Sequence, residues 1–488
     1  MTRLLLLGLL AAFVTLAPVA SAQPLGSSLT ATTQEVRLLP PTPTEDERFG
    51  ISSAIGGEWA VVDGRAGSVY VFGRSGTGWV FDAKIDAPGV VNEFGRDLEV
   101  AGDRIAISSI GEDGNQGAVY VYGRAGEAWV LEATLKASDA SSTISFGADL
   151  DMEDEQMAIG SASGKAYVFT RSGSTWTEEA IVTLATPQPS ARFGETVAIS
   201  GDDLLVGARN QEVEGNALQG AAYIYGRSLS GWSQRATLNA SEDAPNALLG
   251  TSVSLDGNRA VVAGLRSAYV FSRPDIFRGG SLWQEDQKLS SDSSPFLDAE
   301  ISGDGLLIAS PGARGPLGDG SQGFGAGEVF VFRYDGSDWV EVQRLNATAA
   351  DAGQVAFGTS IGLDGDRIIV GAPKYGAGGV EDAGIAYIFS NVFATSAENE
   401  SPLAAALSLP APNPASTAAG LTLSLDQPGT VRATLHDALG RTVRTVYDGP
   451  AAGTLDLRVD LRGLAAGAYT LRVSDGGSVA ARRLTVVR

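Results

Sequence analysis

The sequence predicts an all-β protein, a seven-bladed β-propeller of four-stranded blades followed by a small C-terminal Ig-like β-sandwich. Three observations carry this prediction: a phrase that recurs seven times, four short strand signals in each copy, and one further strand signal near the N-terminus. A unit that recurs in this way cannot bury its apolar face alone, so neighbouring copies have to stack. Four antiparallel strands per copy are typical of a propeller blade.

Each copy of the phrase begins with Phe-Gly or a close variant, and the copies start 45 to 61 residues apart. A first strand follows, and a Gly/Asp pair such as Asp364-Gly365 supplies the positive φ of a tight hairpin. An apolar second strand, a variable loop, a third strand of the Tyr-Val-Phe type and a fourth strand opened by Trp complete the unit. The starts are Phe49-Gly50, Phe94-Gly95, Phe146-Gly147, Phe193-Gly194, Leu249-Gly250, Phe296-Leu297 and Phe357-Gly358.

The seventh copy has no fourth strand of its own, because the pattern ends after Phe389. An unassigned strand signal at residues 34–38 precedes the first Phe-Gly, and it matches residues 341–345, which precede the last one. We therefore expect this N-terminal strand to join the seventh blade as its outer strand. Such a strand closes the ring and removes the exposed edge that an open sheet would leave.

The repeat resembles the bacterial FG-GAP repeat family, which is related to the propeller of integrin α subunits. The Phe-Gly starts, the strings Val206-Gly207-Ala208 and Val370-Gly371-Ala372-Pro373, and the Tyr-Val-Phe strands carry the resemblance over about residues 30–391. The fifth and sixth starts depart mildly from the pattern but keep its apolar position. We place the propeller at residues 23–391.

The N-terminus indicates export. Arg3 is followed by an apolar run from Leu4 to Leu16 and by Ala20-Ser21-Ala22, the three parts of a signal peptide, which we place at residues 1–22. An anchoring helix is the alternative, but the run is short for a bilayer. No later segment is apolar enough to span a membrane, and the chain has no Cys, so we expect an exported mature chain without disulfides.

The net charge of −22 is unevenly distributed. Residues 23–402 hold 25 basic and 51 acidic side chains, whereas residues 403–488 hold nine Arg against six Asp. A body this acidic repels nucleic acid and anionic membranes, so we expect neither as a partner.

A change of composition marks a second module. Residues 392–410 are rich in Ala, Ser and Pro and read as a linker, and alternating strands at residues 411–488 predict the β-sandwich. The module resembles the type A C-terminal sorting domain of the type IX secretion system, although an ordinary adhesive Ig-like domain is the alternative. The motif residues are Pro412, Asn413, Pro414, Asp437, Gly440, Arg441, Gly467 and Tyr469. The resemblance implies the secretion machinery and its sortase as partners, a Bacteroidota-type host, and cleavage followed by surface anchoring or release.

Residue types restrict catalysis in the propeller. The single histidine, His436, lies in the sorting module, so the propeller has no His-based triad, no Cys–His pair and no His-ligated zinc site. Paired carboxylates, as in glycosidases, remain the alternative chemistry. The string Ser172-Gly173-Ser174-Thr175-Trp176 is similar to the end of a sialidase Asp-box, but Phe169 and Arg171 replace the required Ser and Asp. We interpret Trp176 as a fourth-strand residue and expect no catalytic residue.

Calcium is the one metal to weigh, because integrin propellers bind it in the hairpin after the first strand. Such loops need alternating oxygen ligands that together supply six to eight oxygens. The hairpins here hold only one or two acids, with Asp364 and Asp366 as the weak candidates, so we interpret these Asp residues as turn formers and expect no cofactor.

The loops between second and third strands differ most among the copies, and the long loops of the neighbouring sixth and seventh copies predict a ligand-binding sector. Its candidates are Arg314, Asp319, Lys374, Tyr375, Glu381 and Asp382. The leading hypothesis is a secreted, surface-displayed binding or adhesion propeller for a protein or glycan, without catalysis. The alternatives are a carboxylate-dependent glycosidase or lyase and a structural surface-coat protein. A buried, close pair of carboxylates in the central channel, with a raised pKa on one member, would favour the enzyme.

Overall fold

The computed structural model describes residues 34–64, 67–76, 78–89, 93–140, 144–153, 155–186, 188, 190–242, 245–273, 283–290, 295–313, 315–316, 322–323, 325–347, 355–376, 380–393, 416–436, 442–464, 467–474 and 479–486. The predicted signal peptide lies outside the described residues, and so do residues 394–410 of the predicted linker. The part of the chain that is described is almost entirely β-strand, with one helical turn at Glu112–Asn115. No helix in that part is long and apolar enough to cross a membrane.

The first three repeat sheets follow one another along the chain, and each has four antiparallel strands in sequence order. Sheet 1 consists of Ser53–Gly56, Trp59–Gly64, Ser68–Ser75 and Gly78–Asp86. Sheet 2 consists of Phe94–Ala101, Arg104–Ser109, Ala118–Ala125 and Ala128–Leu135. Sheet 3 consists of Leu150–Glu153, Gln156–Gly160, Lys165–Ser172 and Thr175–Thr183.

The next three sheets repeat this order. Sheet 4 consists of Phe193–Ser200, Asp203–Ala208, Ala221–Ser228 and Gly231–Leu238. Sheet 5 consists of Ser252–Asp256, Arg259–Ala263, Ser267–Ser272 and Gln284–Ser290. Sheet 6 consists of Asp298–Ser302, Gly305–Ser310, Glu328–Tyr334 and Trp339–Leu345, with a small hairpin of Gly315–Pro316 and Gln322–Gly323 between its second and third strands.

Sheet 7 takes its outer strand from the N-terminus. Ile361–Asp364, Arg367–Ala372 and Ile385–Ser390 are followed across the sheet by Gln34–Leu38, which pairs antiparallel with Ile385–Ser390. The pairing predicted for residues 34–38 is therefore confirmed. The two ends of the repeat region thus meet within one sheet, as the unassigned strand signal required.

Neighbouring sheets pack face to face. Seven clusters of buried apolar side chains each combine residues of two consecutive sheets, and the seventh of these joins sheet 7 to sheet 1. The first strands of consecutive sheets are also in contact, including those of sheets 7 and 1. This all-β arrangement of four-stranded antiparallel sheets is consistent with a β-propeller. We use "seam" below for the contact between two neighbouring sheets.

The repeated Phe-Gly is a packing feature. Phe49 and Phe146 are fully buried, and Phe146 lies edge-on to Tyr167 of a third strand at 5.1 Å between ring centroids. The glycine that precedes a third strand allows the Phe backbone to come close. Gly384 has φ of +82°, and a Cβ atom on it would lie 2.2 Å from the carbonyl oxygen of Phe49.

A β-bulge recurs in the outer strands of sheets 1 to 6. The register between third and fourth strands skips one fourth-strand residue in each of these sheets, and a bulge of this kind redirects a side chain. The skipped residues are Asp82, Glu132, Glu179, Arg235, Asp286 and Val342. In the first three sheets the skipped residue is an acid that binds an Arg of the next sheet, as Asp82 binds Arg124.

The C-terminal module forms a four-stranded antiparallel sheet of its own. Two 19-residue strands, Ala418–His436 and Thr442–Asp460, pair along most of their length, and Gly467–Ser474 and Val479–Val486 extend the sheet beside the second half of the first strand. One apolar cluster contains residues from both halves of the long strands, including Leu421 and Leu435. The structure thus presents one hydrogen-bonded sheet here, and the predicted Ig-like sandwich stays a prediction.

Candidate functional site

A cavity of about 530 Å³ lies where the first strands of the seven repeat sheets come together. Its lining comes from the first strands of all seven sheets and includes the acids of sheets 2, 3 and 6. Successive residues of a strand point to opposite sides, so alternate residues share one environment. In sheet 3, for example, Asp149, Asp151 and Glu153 alternate with Leu150 and Met152, which belong to the apolar cluster between sheets 2 and 3.

These alternate residues accept hydrogen bonds from the backbone of the next sheet. In sheet 3, Asp149 accepts the N–H of Val197 at 2.7 Å and Asp151 accepts that of Ile199 at 2.6 Å. A serine does the same at the equivalent place in sheet 5, where Ser254 accepts the N–H of Ile301 at 3.1 Å. We call this set of contacts the inner ladder. Its acceptors are Asp97, Asp149, Asp151, Glu153, Ser200, Ser252, Ser254, Asp256, Glu300 and Asp364.

The inner ladder has a simple physical reason. The first strand of each sheet is an edge strand, and its outward N–H groups would otherwise have no partner in the molecule. A hydroxyl or a carboxylate from the preceding sheet satisfies them and ties the two sheets together. Polar residues at alternate positions of the first strands are therefore explained by structure alone.

Six carboxylates are concentrated on, or directly before, the first strands of sheets 2, 3 and 6. Each of these residues is half-buried and faces the cavity. Burial among protein atoms raises the pKa of all six, and for most of them a neighbouring acid raises it further. They are Asp97, Glu99, Asp149, Asp151, Asp298 and Glu300.

Two of these pKa values are raised to about 7. Desolvation raises the pKa of Asp97 most, and the charge of Asp298 adds to the effect. Desolvation also comes first for Asp151, and the carboxylates of Glu153 and Asp97 contribute further. A fraction of this cluster is therefore protonated near neutral pH, which is the ionisation state that acid–base chemistry requires.

Most of the cluster is nonetheless engaged in structural hydrogen bonds. Asp97 accepts the N–H of Leu150 at 2.7 Å, Asp298 accepts the hydroxyl of Ser252 at 2.9 Å, and Glu300 accepts the N–H of Leu363 at 3.1 Å. Glu99 differs, because its side-chain hydrogen bond within the described part of the chain is accepted at 3.2 Å from the N–H of Val100, the next residue of its own strand. Glu99 is thus the cavity acid that is least committed to holding two sheets together.

Four of the six predicted loop residues lie in the part of the chain that the structure describes, whereas Arg314 and Asp319 lie outside it. Lys374 and Glu381 are exposed, and Asp382 is half-buried. The N–H of Gly384 donates to the carbonyl of Tyr375 at 2.8 Å, which brings the two ends of the seventh loop together. Tyr375 packs against the apolar cluster between sheets 6 and 7, so its ring supports the loop.

The seventh loop also contacts the connections that enter sheets 7 and 1. The N–H of Lys374 donates to the carbonyl of Val355, and the N–H of Arg48 donates to the carbonyl of Asp382 at 2.9 Å. A loop between second and third strands thus shares a face with these connections, as the sequence predicts for four-stranded blades. Whether these residues bind a ligand stays a prediction.

The two weak calcium candidates have structural surroundings. Asp364 accepts the N–H of Gly57 at 3.0 Å, and this hydrogen bond connects sheet 7 to sheet 1. Within sheet 7, Asp364 also forms an ion pair with Arg367. Asp366 is exposed in the same hairpin. Within the described ranges, no group of three or more His, Cys, Asp or Glu side chains is placed to hold a metal ion.

The motif residues of the C-terminal module are only partly described. Tyr469 is buried in the apolar cluster of the module, and Gly467 begins its third strand. The other motif residues, Pro412, Asn413, Pro414, Asp437, Gly440 and Arg441, lie outside the described residues.

Sequence reasoning missed the inner ladder and the cavity acids. The signal was present as acids at every second position after the Phe-Gly, most clearly Asp149, Asp151 and Glu153 in the third copy. Alternation of this kind predicts one polar side of a strand. It does not reveal that the first strands of sheets 2, 3 and 6 meet at one cavity, because that depends on how the sheets pack.

Comparisons with known proteins agree with the two resemblances. The FG-GAP repeat model matches residues 176–225 and 339–389, and the secretion system C-terminal sorting domain model matches residues 411–487. No curated protein matches the chain significantly. The chain therefore carries FG-GAP repeats and a type IX sorting domain, and the sorting domain indicates export to the cell surface or the extracellular space through interaction with the type IX machinery.

Proposed function

We propose that the mature chain is a secreted, surface-displayed, seven-bladed propeller that binds a protein or glycan ligand without catalysis. The closed ring of seven blades is supported by the seven seams and by the N-terminal strand of sheet 7. Export through a type IX system is supported by the family match at residues 411–487. The Ig-like form proposed for that module rests on the strand pattern of its sequence.

One observation carries the binding proposal. The contacts between neighbouring sheets are similar in all repeats, whereas the loops differ in length from one repeat to the next. Every seam has an apolar cluster, whereas the loops between second and third strands range from Gly64–Ser68 in sheet 1 to Ser310–Glu328 in sheet 6. Loops on a rigid scaffold are the parts that evolve recognition. Sheets 6 and 7 are neighbours, so their long loops are the proposed binding sector.

The contacts of the cavity acids also favour binding over catalysis. A general acid and its partner base need freedom to exchange protons with a substrate. Asp97, Asp149 and Asp151 instead hold backbone N–H groups of the next sheet. Hydrogen bonding in the inner ladder is therefore sufficient to explain the presence of these acids, without a catalytic role.

The binding proposal is tested with a double variant, Lys374→Ala with Glu381→Ala, in the full exported chain. Both side chains are exposed, so we expect the fold to persist and ligand binding to fall at least about tenfold, the effect of losing about 1.4 kcal/mol of contact energy. Binding is measured on arrays of glycans and of bacterial and host surface proteins. The matched control is Leu229→Ser, a fully exposed tip between the third and fourth strands of sheet 4. Equal binding by the double variant and the control would exclude the loop sector.

A second function has one specific observation in its favour. The raised pKa of the cavity carboxylates meets part of the criterion for a carboxylate-dependent glycosidase or lyase. On that hypothesis Glu99 is the best candidate for the proton-transferring group, because its hydrogen bonding leaves it most available.

The enzymatic alternative predicts that the purified protein cleaves a polysaccharide and that Glu99→Gln lowers the rate at least about 100-fold, the usual contribution of a general acid or base. Product formation is measured by reducing-end release or by absorbance of unsaturated ends on a panel of polysaccharides. Glu127→Gln, an exposed acid in the turn before a fourth strand, is the matched control. A wild-type protein that leaves the whole panel intact would remove this alternative.

A further inference from the structure

We draw no further inference here: the strongest candidate, the cluster of cavity-facing carboxylates on the first strands of sheets 2, 3 and 6, carries nothing because most of its members already bind backbone N–H groups of a neighbouring sheet and no second feature of the described residues says what would bind to it.

Discussion

At the scale of single residues, the first strands use serine, aspartate and glutamate for the same task. Ser254 accepts a backbone N–H of the next sheet just as Asp151 does, so a hydroxyl is sufficient for the inner ladder. The acids of sheets 2, 3 and 6 therefore introduce negative charge that the ladder does not need. That surplus costs stability when the acids are ionised, since like charges in a poorly solvated place repel.

The raised pKa values make the stability of the protein depend on pH. A carboxylate whose pKa is raised on folding binds its proton more tightly in the native state than in the unfolded state. The free energy of unfolding should therefore fall as the pH rises from about 4, the unfolded pKa, through about 7, the pKa of Asp97 and Asp151. Acids paired with cations, such as Asp86, whose pKa is lowered by Lys84, act in the opposite sense only below about pH 4.

This prediction is checked by urea unfolding between pH 5 and pH 8. The double variant Asp149→Asn with Asp151→Asn keeps an acceptor oxygen for each ladder contact but removes two charges, so it should flatten the pH dependence and be more stable than the natural protein at pH 8. The matched control, Glu127→Gln with Asp202→Asn, removes two exposed charges. A natural protein whose stability is level or rises from pH 5 to pH 8 would contradict the explanation.

At the scale of elements, the outer strands show how one irregularity is used in several ways. In sheets 1 to 6 the bulge adds one residue to the outer strand, and the chemistry of that residue's side chain determines which contact it makes. Asp82 of sheet 1 accepts two hydrogen bonds from Arg124, at 2.5 and 3.0 Å, and one from the indole of Trp129 at 3.1 Å. Arg235 at the same place in sheet 4 instead donates to the carbonyl of Arg227 in its own sheet.

The contribution of the Asp82–Arg124 contact between sheets 1 and 2 to the free energy of unfolding should be measurable. Asp82→Ala removes the acceptor of three hydrogen bonds and leaves Arg124 between the rings of Trp59 and Trp129 without its counter-charge, so we expect a loss of about 1–3 kcal/mol in the free energy of unfolding. Asp286→Ala, at the equivalent bulge of sheet 5, replaces an exposed residue and should stay within about 0.5 kcal/mol. Equal effects of the two substitutions in denaturant titrations would show that the Asp82–Arg124 contact contributes nothing to stability.

The family matches also have a structural meaning at this scale. Both matched segments begin at an outer-strand Trp, Trp176 or Trp339, and end in the third strand of the following sheet, at Tyr225 or Phe389. Each segment therefore spans a seam and not one sheet. The matched segments are therefore shifted by one strand relative to the sheets. The same shift explains why the fourth strand of sheet 7 comes from the N-terminus.

At the scale of the whole molecule, the N-terminal strand decides whether sheet 7 is complete. Leu38 is 2% exposed and belongs to the apolar cluster that joins sheets 7 and 1, whereas the adjacent Leu39 is 40% exposed. Two neighbouring leucines thus differ sharply in burial, which makes them a matched pair for testing the closure.

We expect Leu38→Ala to lower the free energy of unfolding by about 2–4 kcal/mol, since it removes buried methyl groups and leaves a cavity. Leu39→Ala should change it by less than about 0.5 kcal/mol. Denaturant titration gives both values. In addition, hydrogen exchange should accelerate in Ile385–Ser390, the strand that Gln34–Leu38 covers, for Leu38→Ala only. Unchanged exchange in that strand would mean that the closing strand does not protect it.

The sequence by itself determined the repeat, the four strands of each copy and the need for a closing strand, because these rest on local periodicity and on turn residues. It also determined that His436 lies outside the seven repeats, so the repeats contain no histidine for catalysis. The tertiary structure alone decided which side chains meet. Asp149 and Val197, or Asp82 and Arg124, are more than 40 residues apart in the chain, and they become partners only when neighbouring sheets pack and a bulge turns one residue outward. Alternation along a strand predicts two sides but not what each side faces, and for that reason the acidic cavity emerged only from the assembled sheets.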